Sequence, residues 1–197
     1  MTLIKNKRGM DLQEIIERNL VFLFAVFCSG VGISMVASAD IGTTPISSSN
    51  YVISLHTPLS LGAMTFIFNC LLIVLQILLV GRKYAKEHAL IIFLQIPVSV
   101  LMAAAIDLGM NTIAPLLPPE PWYAVKIGMV LAGSVILAIG VCLQVCADVA
   151  MISGEAFVKA ISVKFNKEFG LVKTINDISL VVCAVIISLC CTGFTKI

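Results

Sequence analysis

Charge is what this chain has least of. Of 197 residues only 12% are charged, against roughly 25% in a soluble domain, and the mean hydropathy is +1.07. Such a chain cannot make a soluble globular surface; it reads as an integral membrane protein. Histidine is nearly as scarce. His56 and His88 are the 2 in the sequence, so no nucleophile has a His in register and the Cys142/Cys146 pair has no companion ligands for a metal. A Gly-rich phosphate loop and the paired acids of a membrane protease are missing too. No enzyme, cofactor or metal is expected. Nucleic acid is excluded as a partner, because no basic patch exists beyond the loops that topology explains.

What the chain has in quantity is apolar length. Stretches at 19–39, 60–81, 89–107, 124–147 and 170–195 are nearly uncharged, and about 20 such residues cross a hydrocarbon core of about 30 Å. The fold class expected is therefore an all-α polytopic membrane protein with five spans, forming one transmembrane domain over 1–197. The 7 cysteines all fall inside these apolar stretches, where Cys acts as a small hydrophobe. "VASA" at 36–39 looks like a signal cleavage site, but the apolar run before it is too long and its basic residues too distant.

The few charges carry topology. With the N-terminus in the cytoplasm, Lys5, Lys7, Arg8, Arg18, Arg82, Lys83, Lys86, Lys159, Lys164, Lys167 and Lys173 lie inside, and of the 13 basic residues only Lys126 and Lys196 lie outside. That asymmetry sets the orientation. The loop "APLLPPEPWY" agrees: it has no basic residue, several helix-breaking prolines, and Trp122 and Tyr123 where an interfacial aromatic belt belongs.

A weak repeat runs through the chain. Residues 32–80 laid over 140–188 pair Gly32 with Gly140, Ala39-Asp40 with Ala147-Asp148, Ile53-Ser54 with Ile161-Ser162 and Gly62 with Gly170. Unit one would cover about 19–108 and unit two about 123–197. With the single span 89–107 between the copies, each unit holds an odd number of spans, so the second is inverted relative to the first. Inverted repeats with short helices between spans mark many secondary transporters, although a duplicated pair can also be packing architecture. The counterpart of the third span would begin near 197, so a sixth span is expected to be missing.

Between the spans, "TTPISSSNYVIS" and "ISGEAFVKAIS" are too short and polar to cross and return. They predict short amphipathic or re-entrant helices at about 44–56 and 153–166. Thr43 or Thr44 would cap the first, with Pro45 in its first turn; Ser153 would cap the second, with Glu155 pairing to Lys159 one turn on. If they lie on the interface their hydroxyls are caps only; if they re-enter, their N-terminal amides make sites for anionic groups.

Within the spans, Gly62, Thr65, Asn69 and Gln76 share one helix face, and Lys173, Asp177, Ala184 and Ser188 share another. Asp177 stands at the repeat position of Asn69, some eight residues into its helix. A carboxylate at that depth is costly and so a functional candidate, with Lys173 as a local partner; Asn69 could equally serve as an interhelical hydrogen bond. Gln95, Ser99 and Asp107 in the third span and Gln144 in the fourth are further candidates, and Pro97 is expected to kink the third. Ser29, Gly30, Gly32, Ser34, Gly128, Ala132 and Gly133 read as packing surfaces.

"ADIGTTPISSSNYVISL", "PLSLGAMTFIFNCLLIVLQILL", "LQIPVSVLMAAAIDLG" and "GEAFVKAISVKFNKEFGLVKTINDISLV" together resemble the YczE/YyaS/YitT-like family of small bacterial inner-membrane proteins, over nearly the whole chain. The resemblance implies a polytopic fold and a multi-pass place in the bacterial inner membrane. It also implies a Gly-rich final helix, where this sequence ends in "CCTGFTKI". It supplies no site residues. Those follow from the reading above: a transporter or permease for a small molecule or ion, its pathway lined by Asn69, Asp177, Ser47, Ser48, Ser49, Asn50, Glu155, Gln95 and Asp107. The lipid bilayer is the surrounding partner, and a homodimer could close a core that five helices leave open. The alternative is a membrane scaffold that binds a partner protein through 159–173 and the short helices.

Overall fold

The computed structural model describes residues 12–81, 89–118 and 121–192. Among them are seven α-helices and no strand: α1 (Leu12–Ser38), α2 (Pro45–His56), α3 (Leu61–Val80), α4 (Ala89–Ile113), α5 (Tyr123–Ala147), α6 (Ser153–Phe165) and α7 (Phe169–Thr192), with a 3-10 turn at Ala114–Leu116. Five of them, α1, α3, α4, α5 and α7, are long and apolar enough to cross a membrane. The remaining two, with 12 and 13 residues, rise only about 18–20 Å and cannot span. This is an all-α polytopic membrane protein. Lys5, Lys7, Arg8, Arg82, Lys83, Lys86 and Lys196, on which much of the orientation argument rests, lie outside the described residues.

The helices overrun the apolar stretches. α1 starts at Leu12 rather than 19 because Glu14 and Arg18 form an i,i+4 ion pair at 3.8 Å and the Gln13 amide donates to Glu17 at 3.0 Å, which extends helix beyond the greasy run. α4 passes unbroken through Pro97 and on beyond Asp107 to Ile113. Asp107 is retained in the helix because its carboxylate is engaged by the start of α3: it accepts from the Gly62 amide at 2.8 Å and the Ser60 hydroxyl at 2.7 Å.

Packing is organised around a close antiparallel crossing of α1 and α5. A methyl group on Gly32 would stand 2.8 Å from the Gly133 carbonyl, and one on Gly140 would stand 2.9 Å from the Ala25 carbonyl. The backbones approach this far only because no side chain intervenes. Gln144 crosses the same seam, donating to the Ser29 hydroxyl at 2.8 Å, and Arg18 donates to the Ala147 carbonyl at the end of α5 at 3.0 Å. α4 runs parallel to α1, with Ala105 against Gly30 and Gly109 against Ser34. Thus Ser29, Gly30, Gly32, Ser34 and Gly133 pack as expected. Gly128 and Ala132 do not: the first has nothing within 4 Å and the second is exposed, because that turn of α5 faces away from the seam.

The helix boundaries keep the spacing of 108 residues. α2 and α6 start at 45 and 153, and α3 and α7 at 61 and 169, while the ends of α1 and α5, at 38 and 147, differ from it by one residue. Contacts exchange in the same way, for α2 packs on α7 while α6 packs on α3. Helix α4 stands apart from this scheme.

Candidate functional site where two short helices meet

The recurring Ala-Asp marks the turns that build the site. Asp40 and Asp148 both adopt left-handed backbone, with φ of 53° and 49°, a conformation Asp tolerates better than most residues. Each ends a spanning helix and sends the chain back toward the bundle. The five residues 148–152 reach about 17 Å when extended, roughly half the thickness of a hydrocarbon core. Ser153 at the start of α6 accordingly meets Ser99 at 3.1 Å, ten residues and about 15 Å into α4. From there α6 runs back to the side it came from, where Lys164 donates to the Leu79 carbonyl at the end of α3 at 2.7 Å.

The first triplet does the same from the opposite side. Ser49, near the start of α2, donates to the Leu180 carbonyl at 3.1 Å, eleven residues and about 17 Å into α7. Tyr51 donates back to the Asp40 carboxylate at 3.1 Å. The short helices are therefore re-entrant rather than interfacial. Because α1 and α5 are antiparallel, α2 and α6 enter from opposite sides and end tip to tip: a methyl group on Gly154 would lie 3.5 Å from Ile46 Cδ1. Ile46 and Gly154, each the second residue of its helix, are separated by the same 108 positions.

Neither tip is capped by a side chain. Thr44 holds the N-cap position of α2 without a side-chain cap. For α6 the N-cap is Ile152, not Ser153. Ser153 fails as a cap because it is already inside the helix and its hydroxyl faces Ser99; Ser99 gives its own hydrogen to the Gln95 carbonyl at 2.7 Å, so Ser153 donates to Ser99. The expected Glu155–Lys159 pair does not form either. The Lys159 ammonium points back to the Met151 sulfur at 3.7 Å, and Glu155 stays half-buried in the first turn of α6.

Around the tips lie buried polar groups with no partner. Asn50 is 1% exposed and Gln95 0%; the Asn50 amide nitrogen and both amide atoms of Gln95 lack hydrogen bonds. Asn50 follows Ile46 by one turn on the same face of α2, and Gln95 precedes Ser99 by one turn on α4. Asn69 is 3% exposed with its amide nitrogen also unpartnered. The register that sets Gly62 against Ala103 and Asp107 carries Asn69 to the level of 96–100 on α4, hence to the level of Ser99. Ser47 and Ser49 are buried, while Ser48 spends its hydroxyl on the Pro45 carbonyl at 2.6 Å.

Two candidates have partners of their own. Asp107 belongs to the cap of α3. Asp177 pairs with Lys173 at 3.7 Å, its side chain 27% exposed, and no hydrogen bond or ion pair joins it to Asn69 among the described residues. Its position on α7 matches that of Asn69 on α3; α4 covers Asn69, among the described residues no further helix of that kind covers Asp177, and one oxygen of its carboxylate is buried without a partner. Ile46, Gly154 and Thr43, whose buried hydroxyl lacks a partner, were not among the expected site residues. Extending the 108-residue offset through the first turns of the short helices is the signal that finds the first two.

Comparison with curated proteins and with solved structures gives no match. The model of one family does match, over residues 16–197, without bearing on the YczE/YyaS/YitT-like resemblance. The chain belongs to that family, DUF6198, a family of unknown function.

Proposed function

We propose that the chain is a small transporter or permease of the bacterial inner membrane, its N-terminus cytoplasmic, and that the solute passes the meeting point of α2 and α6. The observation that carries this reading is the contact of Ile46 with Gly154 at the half-depth of the spans. Non-helical backbone and bare helix ends at membrane depth are tolerated where protein buries them or where they line a water-filled path, and discontinuous helices at the midplane are how many carriers build a binding site. In this reading α1–α3 and α5–α7 are an inverted repeat, supported by the shared 108-residue offset of the starts of α2 and α6 and of α3 and α7 and by the antiparallel seam of α1 and α5. The side holding the start of α1 is the cytoplasmic one, supported by the distribution of Lys and Arg.

A test independent of the substrate is labelling of a single cysteine, Ser47→Cys, in a cysteine-free background in sealed vesicles. A carrier exposes the site to impermeant thiol reagents from each side in turn. Absence of labelling from both sides, with the protein folded, would remove the route. The scaffold alternative has lost part of its surface: Ser47, Ser49, Asn50, Ser153 and Val158 of the short helices are buried inside the bundle, leaving the loop near Lys164 and Lys167. A partner protein co-purifying in stoichiometric amount would favour it.

A further inference from the structure

We infer that the junction of the two helix tips binds a small anion, a substrate class that rests on the transport reading for its passage but not for its binding. A helix N-terminus carries about half a positive charge and leaves its first amides without helical partners. Here two such ends face one another. Ile46 and Ser47 at one tip, and Ser153, Gly154 and Glu155 at the other, precede the first intrahelical bonds, Ser48 to the Thr44 carbonyl and Ala156 to the Ile152 carbonyl. Neither Thr44 nor Ile152 caps with its side chain.

The second, independent observation is the set of buried amide side chains without partners at the level of this junction, Asn50 one turn from Ile46, which meets Gly154, and Gln95 one turn from Ser99, which meets Ser153. Asn50, Asn69 and Gln95 are each at least nine-tenths buried and each has an amide nitrogen with nothing to donate to. A buried donor left unmade is costly, and three at one level are explained by a ligand that accepts. Among the described residues no Lys, Arg, Asp or Glu is wholly buried, although one carboxylate oxygen of Asp177 is, so the positive potential at the tips comes from backbone and amide dipoles. Asp177, one turn before Leu180 on α7, is paired with Lys173; among the described residues the acid in the first turn of a short helix is Glu155, half-buried in α6. Its carboxylate competes with an anion for the same amides.

The test uses the full chain reconstituted in vesicles that enclose an iodide-quenched fluorophore, challenged with sodium iodide. A parallel sample is challenged with glycerol and read by light scattering. Quenching faster than in protein-free vesicles is expected, falling by about tenfold in Asn50→Ala, the scale of one lost charge-assisted hydrogen bond, and rising in Glu155→Gln. Glycerol entry without iodide entry would leave the transport reading standing and overturn the anion. If neither enters, transport falls, and melting of the detergent-purified protein in sodium nitrate against sodium gluconate decides the site alone. A nitrate-specific rise in Tm that Asn50→Ala loses upholds it, and equal Tm in the two salts overturns it. Both variants are first checked for a wild-type melting transition; should Asn50→Ala fail that check, Gln95→Leu takes its place.

Discussion

At the scale of single residues, the glycines divide into those that hold the fold and those that do not. Gly140→Ala forces a methyl group against the Ala25 carbonyl, where neither backbone can retreat without opening the α1–α5 seam, and should lower stability by about 1–3 kcal/mol. Gly128→Ala meets nothing within 4 Å and should leave the melting temperature unchanged or raised, since Ala is the better helix former by up to about 1 kcal/mol. Equal losses in the two variants, measured by thermal melting in detergent, would mean the seam is not where stability resides. Asp148 gives a second contrast. Its left-handed backbone admits Gly without strain, whereas Asp148→Val should cost about 1–2 kcal/mol. In the transport reading Asp177 has a separate part as the carboxylate that senses a coupling ion, so Asp177→Asn should abolish ion-driven uptake in a folded protein; undiminished uptake would confine it to its pairing with Lys173.

At the scale of elements, the sequence made the spans, the short helices and the 108-residue offset legible, because apolar length and turn residues are local signals. It did not reveal which residue caps α6. Ser153 has the composition of a cap, but the position of Ser99 on a helix more than fifty residues earlier decides what its hydroxyl does. Asp107 misled for the same reason: a carboxylate deep in the sequence of an apolar helix resembles a pathway residue until α3 is seen to begin on it. The face Gly62, Thr65, Asn69 and Gln76, in contrast, was predictable and is buried throughout, since three polar side chains on one side of a span cannot face lipid. Unequal burial of the elements also has a measurable outcome. In its most apolar window α7 is 11% buried, against 56% for α1, so in detergent the amides of α7 should exchange hydrogen before those of α1. The reverse order would contradict the packing described.

At the scale of the whole molecule, the proposed inverted repeat makes a prediction about sidedness. The α2–α3 link and the α6–α7 link should emerge on opposite faces, so Leu59→Cys and Lys167→Cys, each alone in a cysteine-free background, should react with an impermeant maleimide from opposite sides of sealed vesicles. Reaction from the same side would end the tip-to-tip arrangement and the function built on it. The molecule is also lopsided. Ser153 at one tip is shielded by α4, while Pro45 at the other tip is exposed, Gly170 has open space around it, and Ser134, Ala138, Cys142 and Cys146 form an uncovered row along α5. Fatty acyl chains offer no hydrogen bonds to the non-helical backbone of 41–44. The thiols of Cys142 and Cys146, exposed along that row, therefore report through water-soluble against lipid-soluble reagents whether this sector of the circumference is wet or dry.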